Sequence, residues 1–218
     1  MRCCFITLGC RVNQYESDAM AELLTQAGFE ITENPAEADV CIVNTCTVTN
    51  IADRKSRQML SKAHKLNPNA KLIAAGCFAQ RSPEAAAKLE GVYAVLGSAD
   101  KNRVVELVKS IAEGRENESK SEKCNCGEKE LCDCCGGMKK FEQPENSECS
   151  GNAAGGTKIL IRDVMHEHEF EEMSAVHEGR TRAYLKIQDG CNMFCTYCAI
   201  PYARGGLRSR SIESVRAE

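Results

Sequence analysis

Four continuous apolar runs separated by amphipathic stretches constrain this chain more than any other feature. "CCFITLG" (3–9), "ADVCIVNTC" (38–46), "KLIAAGC" (71–77) and "GVYAVLGS" (91–98) are unbroken rather than alternating, the pattern of strands covered on both faces. Between and after them, residues 16–27, 51–66 and 102–112 carry helical periodicity, the first ending at Gly28. Strands alternating with helices give a parallel sheet, so residues 1–113 are expected to form a doubly wound α/β domain.

The following stretch, 114–157, is different in kind. It is polar, charged and poor in branched aliphatics, so it is read as a linker or insert that cannot bury a core. It also holds Cys124, Cys126, Cys132, Cys134, Cys135 and Cys149, in the close spacings "CNC" and "CDCC", read as adventitious metal binding or as no site. Residues 158–218 then resume with strand-like "KILIRDV" (158–164) and "AYLKIQ" (183–188). Charge divides along the same boundaries. Residues 1–112 carry 13 Lys/Arg against 12 Asp/Glu, 113–179 carry 8 against 16, and 180–218 carry 7 against 3. A basic last segment hints at an anionic partner.

Fifteen cysteines in 218 residues match a secreted disulfide scaffold in density. However, "MRCCFITLGC" has no signal-peptide core, and no apolar run approaches the roughly 20 residues that span a bilayer. A cytoplasmic protein that keeps its thiols reduced for metal is the expectation, with no membrane partner.

Two sets of three cysteines stand out. Cys10, Cys46 and Cys77 each follow a strand, and the loops beyond parallel strands converge on one sheet edge where ligands bind. Cys191, Cys195 and Cys198 form C-x3-C-x2-C with no fourth thiol following within reach. Thiolates favour zinc, copper(I) or iron–sulfur, and spacing alone does not choose between zinc and iron. Cys3, Cys4 and Cys41, inside strands, read as ordinary core residues.

"TLGCRVNQYES", "VNTCTVTN", "AAGC" and "GCNMFCTYCAIPYARG", in that order, resemble the methylthiotransferase family of radical S-adenosylmethionine enzymes. The resemblance covers about residues 2–112 and 170–218. It implies two [4Fe–4S] clusters, one on Cys10, Cys46 and Cys77 and one on Cys191, Cys195 and Cys198. The open iron of the latter would bind S-adenosylmethionine, so the missing ligand is the cosubstrate. The reduced cluster splits that molecule into methionine and a 5′-deoxyadenosyl radical, which abstracts hydrogen from an inert C–H bond. The product is C–SCH3 in place of C–H, and an electron donor such as flavodoxin or ferredoxin is implied.

"TLGCRVNQYES" and "CTVTNIADRKSRQ" are most similar to the branch acting on C2 of N6-threonylcarbamoyladenosine at position 37 of tRNA. Sibling branches act on isopentenyladenosine of tRNA or on an aspartate of a ribosomal protein. A non-catalytic iron–sulfur carrier and a zinc-dependent nucleic-acid module are the readings outside the enzyme class. Tyr197, just before the third cysteine, is expected near the adenine of S-adenosylmethionine or in simple packing. Arg204, Arg208 and Arg210 are expected to meet RNA phosphate or to be solvated. Asn13 and Asn44 are expected to bond the first cluster or hold turns, and Lys55 and Arg57 to solvate a helix.

The family's radical domain is a partial (β/α) barrel followed by an RNA-binding β-domain. Both need more chain than the twenty residues after Cys198. The sequence therefore reads as an N-terminal fragment holding only the beginning of that barrel. Residues 180–218 are expected to pack irregularly, and catalysis by this chain alone is not expected.

Overall fold

A computed structural model describes residues 1–114, 149–152, 157–175 and 183–218. Five parallel strands come from the first domain: β1 (Arg2–Thr7), β2 (Glu30–Thr32), β3 (Val40–Thr45), β4 (Lys71–Gly76) and β5 (Val92–Leu96). The helices are α1 (Arg11–Gln26), α2 (Asn50–Leu66), the short α3 (Cys77–Arg81) and α4 (Pro83–Ala87), and α5 (Val104–Ala112). The sheet does not stop at residue 113. β7 (Lys158–Ile161) pairs parallel with β5, and β6 (Cys149–Asn152) adds antiparallel at the edge, for an order of β2-β1-β3-β4-β5-β7-β6.

Successive residues of each strand feed opposite cores, as the period of two requires. Cys4, Cys41, Val43, Leu72, Ala74, Val92 and Val95 pack under α2, α3 and α4, where Leu60, Ala63, Phe78 and Ala86 meet them. Cys3, Val40, Ile42, Ile73, Ala75, Ala94 and Leu96 pack under α1 and α5, against Met20, Leu24, Val104, Leu107 and Val108. Helices on both faces make the doubly wound α/β fold expected from the apolar runs. Thr49 caps α2 by accepting the Ala52 N–H at 3.1 Å, satisfying one of the orphan donors of its first turn.

Burial agrees with the core reading of the strand cysteines. It pushes the Cys3 thiol up to about 11, and a hydrogen bond with Cys4 followed by burial raises that of Cys41.

Some elements differ from expectation. β2 has only three residues, with Glu30 and Ile31 exposed, too short and polar to show a strand pattern. α1 begins five residues before the predicted 16, directly after Cys10. "AYLKIQ" forms no strand over its length. Only Gln188–Asp189 (β8) pairs, antiparallel with Arg208–Ser209 (β9), because Lys186 is drawn into a buried ion cluster. Two short helices, α6 (Ile200–Arg204) and α7 (Ile212–Ala217), complete the described residues. Cys124, Cys126, Cys132, Cys134 and Cys135 lie outside the described residues. No described helix is long and apolar enough to cross a membrane.

Leu60 is fully buried between α2 and the sheet, whereas Ile51 on the same helix is 65% exposed. Leu60→Ala should cost about 2–5 kcal/mol in urea unfolding, and Ile51→Ala less than about 0.5 kcal/mol.

Candidate metal centres

Strands β1, β3 and β4 are neighbours, and each delivers a cysteine at its C-terminal end. Cys10 is the N-cap of α1, Cys46 follows β3 directly, and Cys77 opens α3. The approach is close. Gly9, at φ +99°, leaves so little room that an added Cβ would lie 2.7 Å from Cys46 Cβ and 2.8 Å from its Sγ. Gly76, at φ +89°, has no room for one against Asn44 Oδ1. Only glycine adopts these conformations readily while letting the loops touch.

Side chains from the helices hold the loops. Asn13 Nδ2 donates to Leu8 O at 2.8 Å and Thr45 O at 2.9 Å, joining the Cys10 and Cys46 turns. Its Oδ1 accepts from the Cys10 thiol at 3.7 Å. Ser56 of α2 clamps Cys46 on both sides, accepting its N–H at 3.1 Å and donating to its carbonyl at 2.9 Å. Burial pushes the Cys77 thiol up, against the lowering fields of Arg204 and Lys101.

Cys191, Cys195 and Cys198 occupy the loop between β8 and α6. The Cys191 N–H donates to Gly205 O at 3.1 Å and the Cys198 N–H to Cys195 O at 2.9 Å. Phe194 sits at φ +45°, a left-handed conformation costly for a bulky residue. Its ring meets Tyr202 edge-on at 5.9 Å. Met193 and Tyr197 stand open to solvent, Tyr197 at 89% exposure.

Between the two loops lies an ion cluster with no counterpart in the sequence reading. Glu16 is fully buried and meets Lys186 at 2.7 Å, Arg204 at 2.8 Å and Lys101 at 2.9 Å. Asp189 adds a second carboxylate, 2.7 Å from Lys186 and 3.0 Å from Arg204. Arg204 also donates to Asn13 Oδ1 at 2.7 Å, so one guanidinium touches the residue that organises the first cysteine set. Burial alone raises the Glu16 carboxyl, but the combined fields of Arg204, Lys101 and Lys186 reverse this and hold it well below the usual range.

Burial corrects the reading of the three arginines as RNA contacts. Arg204, Arg208 and Arg210 are each less than a tenth exposed. Arg208 donates to Arg204 O at 2.6 Å, and Arg210 to Glu172 at 2.9 Å and to Glu218. Their charges are used inside the protein. Residues 183–218 hold only short regular elements and are anchored by these bonds and by Ser98 Oγ donating to Ala203 O at 2.6 Å. One member alone left a local signal: Glu16 shares a helical stripe with fully buried Met20 and Leu24.

Residues 2–97 match the model of a family described as "Uncharacterized protein family UPF0004". The threonylcarbamoyladenosine tRNA methylthiotransferase MtaB of Bacillus subtilis is 36% identical over 97% of this chain and 38% of its own length. That of Aquifex aeolicus is 34% identical over 99% of this chain and 43% of its own. The ribosomal protein uS12 methylthiotransferase RimO of Chloroflexus aurantiacus is 30% identical over 98% and 41%. This chain is related to the methylthiotransferases. It spans about two fifths of the length of these curated relatives.

The donor chemistry suits a sulfur-bound cluster. All six cysteines of the two sets are free thiols. Around Cys46, the buried Thr47 Oγ1 and Asn44 Oδ1 have no hydrogen-bond partner, the state of groups that await one. Among the described residues, no three His, Cys, Asp or Glu side chains are placed to hold a metal ion together.

Replacing Glu16 with Gln leaves the clustered cations with one carboxylate fewer and should cost about 3–5 kcal/mol in chemical denaturation. A depressed carboxyl stabilises the fold above its unfolded value, about 4.3, and that contribution fades as pH falls below it. Wild-type stability should therefore decline below about pH 4, and the Glu16→Gln protein should lose the part of that decline due to this group.

Proposed function

We propose that this chain forms the two-cluster portion of a tRNA methylthiotransferase. The observation that carries the reading is the pairing of two thiol trios, one at the sheet edge and one on the loop before α6, across a shared arginine. In this reading Cys10, Cys46 and Cys77 hold one [4Fe–4S] cluster. Cys191, Cys195 and Cys198 hold the other, with S-adenosylmethionine at its open iron. When bound, these groups supply electron transfer, radical generation and sulfur delivery, chemistry that belongs to cofactors rather than to side chains.

The protein's own part is positional. Asn13 and Ser56 fix the Cys10 and Cys46 turns, and Arg204 joins those turns to the second loop. Tyr197 offers an exposed ring where the adenosyl moiety would stack. The proposed substrate is N6-threonylcarbamoyladenosine at position 37 of tRNA, modified at C2. The proposal rests on the printed activity of the Bacillus and Aquifex relatives, together with the "CTVTNIADRKSRQ" resemblance. Modification of ribosomal protein uS12 is the second reading, favoured by the relative at 30% identity. An electron donor of the flavodoxin or ferredoxin class and a cytoplasmic setting belong to the same proposal.

Anaerobic reconstitution with iron and sulfide tests it. The chain should take up about eight irons in two paramagnetic centres once reduced, only one of which changes its resonance on adding S-adenosylmethionine. Cys195→Ala should abolish the responsive centre and spare the other, and Cys46→Ala the reverse. Uptake of zinc in place of iron would sink the reading. Binding of tRNA against binding of uS12 by the loaded protein, measured by titration of each, separates the two substrates.

A further inference from the structure

Helix α2 carries Arg54, Lys55, Arg57, Lys62 and Lys65 against the single acid Asp53, whereas α1, on the opposite face of the sheet, carries Arg11 against Glu16, Asp18 and Glu22. Charge is thus segregated by face in a chain whose net charge is -3. All five α2 cations are exposed, and none forms an ion pair among the described residues. Arg54/Arg57 and Lys62/Lys65 are like-charge pairs at i,i+3, a spacing that weakens a helix by about 0.2–0.5 kcal/mol per pair. An ordinary solvated face intersperses acids at those positions; this one does not.

Arg54, Arg57, Gln58, Ser61, Lys62 and Lys65 line one shallow groove of about 520 Å³. From 54 to 65 the groove runs roughly 16 Å along the helix, with a cation or hydrogen-bonding side chain at nearly every turn. It starts beside the first cysteine set. Ser56 bonds Cys46, and the Arg57 guanidinium lies 5.8 Å from the ring of Phe78, next to Cys77. Exposed Val48 and Ile51 sit at that same end, offering apolar contact beside the thiols. A membrane surface is a poor partner, since the apolar side of α2 is already buried through Leu60 and Ala63 against the sheet.

We propose that the α2 groove binds the phosphate backbone of an RNA strand and leads it toward the Cys10/Cys46/Cys77 edge. The choice of RNA over an acidic protein rests on the tRNA reading above. The contacts are to phosphate, so they orient the strand without reading its bases.

The test is fluorescence anisotropy with the 218-residue chain and a labelled 17-nucleotide RNA hairpin across 50–200 mM salt. The Arg54→Gln/Lys62→Gln/Lys65→Gln protein, checked for native circular dichroism, should bind more weakly. Its slope of log affinity against log salt should be smaller by about 2 to 3, at 0.7–0.9 per lost phosphate contact. Hairpins of unrelated loop sequence should lose equally. A charge-matched Lys88→Gln/Lys109→Gln/Arg216→Gln protein should keep the wild-type slope. An unchanged slope in the α2 variant, an equal loss in the control, or tighter binding of polyglutamate than of the hairpin overturns the proposal. Its fate is separable from that of the cluster reading. RNA held at α2 by protein that takes up no iron leaves this inference standing and sinks that one, and iron uptake without RNA binding does the reverse.

Discussion

A carboxylate with no access to water dictates how this chain is put together. Stripping Glu16 of solvent is unfavourable by several kcal/mol unless cations replace the lost hydration. Three do, and they come from distant parts of the chain: Lys101 after β5, Lys186 before β8 and Arg204 at the end of α6. Meeting that requirement forces residues 183–218 down onto α1. Strand pairing holds this segment less than the ion cluster does, because β8 and β9 contribute only two residues each.

The same guanidinium makes the arrangement specific. Arg204 is planar and presents its donors in a fixed fork, so it satisfies Glu16, Asp189 and Asn13 together only in one pose. Asn13 in turn spans the Cys10 and Cys46 turns. Two thiol sets separated by more than a hundred residues are therefore placed relative to one another by a chain of short polar contacts. A lysine at 204 would supply the charge but not the geometry.

The sheet was readable because its signals are local. β1, β3, β4 and β5 announce themselves as continuous apolar runs, and α2 and α5 as periodic stretches, so neighbours in sequence suffice. Cysteine positions at strand ends were readable for the same reason. The ion cluster was not, because its members lie up to 188 residues apart, as Glu16 and Arg204 do. Arg204, Arg208 and Arg210 looked like a basic surface only because their acidic partners were out of view. Lys186, a cation inside the apolar alternation of "AYLKIQ", was the clue that the segment was no ordinary strand. β2, α3 and α4 were missed because three to five residues are too few to establish a period.

Ser56 has a mechanical consequence. Its hydroxyl holds the amide and the carbonyl of Cys46 at once, so α2 and the thiol turn are tied together at the backbone. A shift of the helix therefore carries the Cys46 backbone with it.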